Sequence, residues 1–235
     1  MATCRNYADC VKTLLVLLTF VFLVPYRGFA QRPQQSIYVG GMGGVATLSG
    51  DGSAIVTPSS ASTSLFDPDN GGAADIFAGV HLFEYVSFQA DYVYNRNNAV
   101  VVSTSVEPNE MNFFRQPESI TQNAFLANVL VYFRRRDSRI RPYLAEGGGA
   151  VLLHSRLSGK ATVGGIVVLP PSTSDHASIA LRTSVGLDLR LFGPWYFRYS
   201  FGETITRNML GDQVVPTQHR IPKNFQSLFG IYVRF

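Results

Sequence analysis

Apolar and polar residues alternate with a period of two in eight separate stretches of the chain. The last, Phe225 to Phe235, reads FQSLFGIYVRF. Successive side chains of a strand point to opposite faces. Phe225, Ser227, Phe229, Ile231, Val233 and Phe235 therefore share one face, and Gln226, Leu228, Gly230, Tyr232 and Arg234 the other. The same reading predicts a strand over 36–48, with Ile37, Val39, Gly41, Gly43 and Val45 together. Over 73–83, Ala74, Ile76, Ala78, Val80 and Leu82 oppose Asp75, Phe77, Gly79, His81 and Phe83. Over 86–95, Val86, Phe88, Ala90, Tyr92 and Tyr94 oppose Ser87, Gln89, Asp91, Val93 and Asn95. Over 120–134, Phe125, Ala127, Val129, Val131 and Phe133 oppose Leu126, Asn128, Leu130 and Tyr132. Over 141–155, Tyr143, Ala145, Gly147, Gly149, Val151 and Leu153 oppose Leu144, Glu146, Gly148, Ala150, Leu152 and His154. The stretch 178–191 alternates most clearly, with Ile179, Leu181, Val185, Leu187, Leu189 and Leu191 against Arg182, Asp188 and Arg190. Finally, Trp195, Phe197, Tyr199 and Phe201 oppose Tyr196, Arg198, Ser200 and Gly202.

The connections alternate in length. Long polar segments at 49–72, 95–118, 156–175 and 207–222 separate tight reversals near Glu84-Tyr85, at RRRDSRIR (134–141) and at Gly193-Pro194. Within the third long segment, GGIVVLPP (164–171) is unusually apolar, which suits a protruding hairpin continued from the flanking strands. Eight strands joined in this way predict an all-β, eight-stranded antiparallel up-and-down transmembrane barrel, with long loops on one side of a membrane and tight turns on the other. An even strand count puts both termini on the tight-turn side. A soluble sandwich would turn the same apolar faces inward, and the aromatic residues argue against it. Phe88, Phe133, Tyr143, Trp195, Phe197 and Phe235 fall near the tight-turn ends, and Tyr92, Tyr94, Phe125, Phe201 and Phe225 near the loop ends. Phe225 and Phe235 are ten residues apart. At about 3.3 Å per residue and a tilt near 40°, that separation spans roughly 25 Å, the height of a barrel's apolar band.

A barrel in a membrane beyond the cytoplasm needs an export route, and the first residues supply one. Arg5 and Lys12 precede an apolar run of 11 residues, Leu14 to Val24, which Pro25 breaks before Gly28-Phe29-Ala30. The run is shorter than the roughly 20 residues a spanning helix needs. Residues 1–30 therefore read as a cleaved signal peptide, 31–35 as a short periplasmic leader and 36–235 as the barrel. Both cysteines, Cys4 and Cys10, lie in the signal, which leaves no disulfide framework and no thiolate metal site. Of the net charge of +4, Arg5, Lys12 and Arg27 against Asp9 account for +2, so the remainder is too weakly basic to suggest nucleic acid.

On these residues the chain resembles the small eight-stranded outer-membrane β-barrels of the OmpA/OmpX type over about 36–235. In that family the last strand carries an assembly signal, and Gly230, Val233 and Phe235 match its glycine and its hydrophobic third-last and last positions. Leu228 replaces the polar residue expected at its start. The resemblance implies the outer membrane of a Gram-negative cell, insertion by the barrel-assembly machinery, and contact with outer-membrane lipid including lipopolysaccharide.

The inward face collects Asp75, His81, Asp91, Glu146, His154, Arg182, Asp188, Arg190, Arg198 and Arg234. Eight strands leave an interior only wide enough for side chains to fill, and charges buried there must be paired. The expectation is a polar network in the lumen built from Asp91, Glu146, Arg182, Asp188, Arg190, Arg198 and Arg234. It would plug the barrel; the alternative is passage of a small or apolar solute. Enzymatic lipid A modification is a third reading. His176-Ala177-Ser178 has the His-x-Ser spacing of the lipid A deacylases, but the position of their acidic partner is Arg190, and the pair shares parity with the inward face. No catalytic residue, metal site or cofactor is assigned. The long Ser/Thr/Asn/Gly/Pro loops are the remaining candidates for a surface ligand. The sequence thus predicts a non-enzymatic outer-membrane protein serving envelope integrity or surface interaction.

Overall fold

The computed structural model describes residues 36–49, 52–56, 61–107, 110–157, 161–163, 166–169, 172–206 and 223–235. The expected signal, leader and fourth loop lie outside these residues. The strands, in chain order, are β1 (Ser36–Ser49), β2 (Gly52–Val56), β3 (Ala61–Pro68), β4 (Asn70–His81), β5 (Val86–Glu107), β6 (Glu110–Tyr132), β7 (Ile140–Leu157), β8 (Ala161–Val163), β9 (Ile166–Leu169), β10 (Ser172–Arg190), β11 (Trp195–Thr206) and β12 (Lys223–Arg234).

Eight of them form a closed antiparallel ring in the order β4, β1, β12, β11, β10, β7, β6, β5, with β5 returning to β4. The first and last strands meet through the register Val39↔Val233, so no edge of the ring is left unpaired. At the β4–β5 reversal the Leu82 and Phe83 amides both donate to the Val86 carbonyl. Gly193, at φ 52°, makes the β10–β11 turn. The long-loop side is more regular than the sequence suggests. β5 and β6 continue as a paired hairpin to Glu107↔Glu110, where 95–118 reads as a loop. The β-branched run Val100-Val101-Val102 has strong strand propensity and explains the extension. The β2–β3 hairpin adds to the outer part of β5, and β8–β9 form a separate two-stranded sheet from the apolar segment in the third loop.

Alternation follows the expected faces in seven of the eight ring strands. In β7 it is inverted: Arg141, Tyr143, Ala145, Val151 and Leu153 are buried, and Leu144, Glu146, Leu152 and His154 are exposed. Both faces of this strand mix apolar residues with polar ones, Arg141 and Ser155 on one and Glu146 and His154 on the other, so its pattern specifies register weakly. What fixes it is packing. The Tyr143 ring lies over Gly186, its cross-strand partner on β10, and Arg141 stacks 3.8 Å from the centre of the Tyr132 ring. Tyr38 on β1 covers Gly79 on β4 in the same way. An aromatic ring laid over a facing glycine fills the gap left by the missing side chain and pins strand register.

A Cβ at Gly186 would overlap the Tyr143 ring and come within 2.5 Å of the Tyr199 carbonyl oxygen. Gly186→Ala should therefore lower stability by about 1–3 kcal/mol, read as a shift in the urea midpoint of the refolded barrel at unchanged slope. Gly72→Ala, where a Cβ meets nothing within 4 Å, should stay within about 0.5 kcal/mol.

Candidate functional site

The interior is organised around Arg198, which β11 places wholly buried in the tight-turn half of the barrel. Its guanidinium forms a two-pronged bond to Asp188 on the neighbouring strand, Nε to Oδ1 at 2.6 Å and Nη2 to Oδ2 at 2.8 Å. Nη1 donates to Gln89 Oε1 at 2.6 Å and Nη2 to the Tyr132 hydroxyl at 3.0 Å. Asp188 Oδ2 also accepts from the Tyr132 and Tyr232 hydroxyls at 3.1 and 2.9 Å. The rings of Phe77 and Tyr232 lie 4.7 Å from the Arg198 carbon, and that of Tyr143 at 5.0 Å. Planar charge, planar acceptor and aromatic faces together replace the water that guanidinium loses on burial.

The bonds continue outward from this centre. Gln89 accepts from Tyr38 at 2.9 Å and donates to Asp91 at 2.6 Å, and the Asn128 amide donates to the other Asp91 oxygen. Arg182 Nη1 reaches Asp75 Oδ2 at 3.3 Å, with both side chains buried. A cavity between Met42, Asp75, Asp91, Asn128, Arg182 and Ser184 has about 10 Å³ open to a water's centre, room for a single molecule. Asp75 Oδ1, which has no donor among the described residues, belongs to a residue lining it. Towards the long loops an apolar cluster follows, formed by Leu48, Val93, Ile120, Ala124, Leu126, Val151, Leu153 and Ala180. Among these side chains Gln122 accepts from Asn224 at 2.6 Å and from Asn95 at 3.3 Å, and next towards the loops Ser155 donates to Glu118.

Of the residues expected in the lumen, Asp91, Arg182, Asp188 and Arg198 are buried there. Asp91 takes amide donors, and the partner of Arg182 is Asp75. Glu146 is a correction. It lies exposed on the outer wall, where Thr183 donates to it at 2.8 Å, because β7 is turned over by the Tyr143 and Arg141 packing. Tyr143, expected in an outer aromatic belt, is inside for the same reason. Arg190 is also a correction: it is exposed as the last residue of β10, at the rim where the strand ends. Arg234 is half-buried at the mouth, 4.8 Å from the Tyr196 ring centre.

On the outer face are Phe88, Tyr94, Phe125, Phe133, Trp195 and Phe201, all exposed, with Tyr92, Phe197 and Phe225 half-buried. Tyr92 donates to Asn123 at 2.7 Å. Gly230 faces inward, where a Cβ would overlap the backbone of Gly41 and Met42; Val233 is half-buried and Phe235 exposed. His176 is exposed, and Ser178 Oγ lies 3.4 Å from the Ile179 carbonyl. The histidine that meets a carboxylate is His154, whose Nδ1 is 2.5 Å from Asp175 Oδ1 at the surface. Among the described residues no cluster of histidine, cysteine, aspartate and glutamate could hold a metal ion. Sequence reasoning missed the roles of Tyr38, Tyr132, Tyr232, Gln89 and Asn128, all of which share inward parity and could have been found by it.

The family model for the outer membrane protein beta-barrel domain matches residues 14–235. No curated protein matches the chain. Among solved structures, the chain is similar to Neisserial surface protein A, NspA, at 15% identity and TM-score 0.49, covering 85% of this chain and 97% of that one. It is similar to Ail of Yersinia pestis at 12% identity and TM-score 0.46, covering 87% and 100%. OprG of Pseudomonas aeruginosa follows at 11% identity and TM-score 0.44, covering 87% and 97%.

Removing one member of the central pair strands the other as a buried charge. Arg198→Gln should cost about 3–5 kcal/mol, whereas Arg198→Met combined with Asp188→Leu should recover much of that loss. Urea unfolding of the refolded variants checks both.

Proposed function

We propose, for a chain that belongs to the outer membrane protein β-barrel domain family, a non-enzymatic task in envelope integrity or surface interaction, with the lumen closed by its polar network. The protein is a bacterial outer-membrane barrel in contact with lipid. The observation that carries the reading is the interior itself. Among the described residues, the Arg198–Asp188 centre, the surrounding tyrosines and the apolar cluster fill the interior, and the cavity beside Asp75 has about 10 Å³ open to a water's centre. A solute path would need a continuous file of such spaces. The extended β5–β6 hairpin and the β2–β3 hairpin on it offer the surface on which a ligand would bind.

In the same reading, residues 1–30 are the cleaved export signal, 31–35 the leader and 36–235 the barrel. Gly230, Val233 and Phe235 serve recognition by the assembly machinery, and the loops face lipopolysaccharide on the cell surface. The outer wall supports a membrane position, with Ile37, Ile76, Leu181, Phe229 and Ile231 all exposed on it.

Refolded protein in planar bilayers should give no conductance steps; regular steps would replace this reading with solute passage. Lipid A from cells with and without the protein should show the same mass spectrum. Glu146 tests the wall. A carboxylate facing lipid is costly near mid-membrane, by up to about 2 kcal/mol. Glu146→Leu should therefore raise the urea midpoint of the barrel in lipid vesicles, and an unchanged or lower midpoint would show that this part of the wall does not face lipid.

A further inference from the structure

The tight-turn end of the barrel carries more positive charge than its structure uses. Arg134, Arg135, Arg136, Arg139 and Arg141 fall within one turn and its borders, and Arg190 and Arg234 lie at the same end. Against these seven arginines stand the side-chain carboxylates of Glu84 and Asp137. Three of the arginines engage the barrel's own backbone. Arg136 Nη2 donates to the His81 carbonyl at 3.1 Å, Arg141 Nη2 to the Glu84 carbonyl at 3.2 Å, and Arg234 Nη1 lies 3.5 Å from the Arg136 carbonyl. These contacts draw the 133–139 turn across the mouth. Positive groups crowd there, since burial first, and Arg234 and Arg141 next, hold the Arg136 guanidinium below its ordinary value.

The other four, Arg134, Arg135, Arg139 and Arg190, are exposed. The Arg190 amide donates to the Arg139 carbonyl at 2.8 Å, which sets the end of β10 beside the residue that leads into β7. Large apolar side chains flank them directly in the chain: Phe133 before Arg134, Ile140 after Arg139, and Leu191 and Phe192 after Arg190, all exposed. Trp195, the chain's single tryptophan, is exposed at the same rim. Guanidinium one residue beyond an aromatic belt lies at the level where a bilayer's apolar core gives way to phosphate. Arginine binds phosphate with two parallel bonds.

We propose that Arg134, Arg135, Arg139 and Arg190, together with Phe133, Phe192 and Trp195, form a binding rim for the phosphate groups of anionic phospholipid in the leaflet that meets the tight turns. A carboxylate-bearing cell-wall polymer would match the charge alone. The interleaved exposed rings fit a ligand with an acyl region, and favour lipid. The inference depends on the barrel's place in a membrane and is independent of what the long loops bind or whether the lumen conducts.

Trp195 reports on the lipid beside it. Wild-type protein is refolded into phosphatidylcholine vesicles containing a minor share of either phosphatidylglycerol or phosphatidylcholine brominated high on the acyl chain, and quenching of Trp195 is compared. The expected result is a local enrichment of the glycerol lipid of about fivefold or more, collapsing at about 1 M salt, where screening acts within about 3 Å. Arg134→Gln/Arg135→Gln/Arg139→Gln should abolish the enrichment, and the triple lysine variant should keep most of it; heat modifiability shows that each has folded. Equal quenching by the two lipids, no quenching by either, or enrichment that survives in the glutamine variant would each overturn the proposal. So would arginine-dependent sedimentation with purified cell-wall sacculi in the absence of lipid enrichment.

Discussion

A charge that cannot reach water must find its whole hydration shell in the protein, and the Arg198–Asp188 pair sets that condition for this barrel. Both side chains are fully buried, so two ions have left water at a cost of several kcal/mol each. Coulomb attraction alone does not offset that loss; the remaining hydrogen-bond capacity must be filled as well. Tyr132, Tyr232 and Gln89 fill it from three other strands. Each partner must then point inward at a fixed height, which fixes the register of β5, β6 and β12 against β10 and β11. The pair thereby couples strands that are not hydrogen-bonded neighbours.

Closure of the ring explains why such a centre is tolerated. The backbone donors and acceptors of an eight-stranded ring are satisfied by its own ladder. The interior is then left to side chains, and its width admits only those that interdigitate. Rings laid over glycine at Tyr38–Gly79 and Tyr143–Gly186 bring aromatic faces close to Arg198. Towards the loops an apolar cluster and the amides of Gln122, Asn95 and Asn224 share the interior, with Leu153 directly opposite Gln122 and Leu48 opposite Asn224. The charged groups therefore gather in the tight-turn half, and neutral amides among apolar side chains fill the half towards the loops.

The period-two pattern gave away the fold because seven strands carry a strong contrast between their faces. Strand β10 is the clearest case, with Ile179, Leu181, Val185 and Leu187 against Arg182 and Asp188. β7 lacked that contrast. Leu144 and Leu152 on one side, against Val151 and Leu153 on the other, leave the choice to Tyr143 and Arg141, whose partners Gly186 and Tyr132 lie on other strands. No property of residues 141–155 alone contains that information. The central ion pair was legible in type, since buried charges of both signs had to combine, but the pairing of Arg182 with Asp75 depends on a contact across 107 positions. The tyrosine hydroxyls were hidden for another reason: tyrosine suits both an aromatic belt and a polar interior, and only parity separates the two uses.

The misplaced Glu146 and the arginine-rich turn illustrate one rule from opposite sides. An eight-stranded interior has a fixed volume, and Arg198, Asp188 and their ring partners occupy its tight-turn half. Side chains in excess of that volume must leave by the wall or by the end. Glu146 goes to the wall because Tyr143 takes the inward place on β7, and its carboxylate keeps a hydrogen bond from Thr183 across to β10. Arg190 and the exposed arginines of the 133–139 turn leave by the end, where the strands stop and guanidinium regains a polar medium. Glu146 on the wall is held by one hydrogen-bonding neighbour, whereas the charges at the end lie beyond the last strand pairs. The end is therefore the cheaper exit, and the imbalance of seven arginines against two side-chain carboxylates accumulates there and not along the strands.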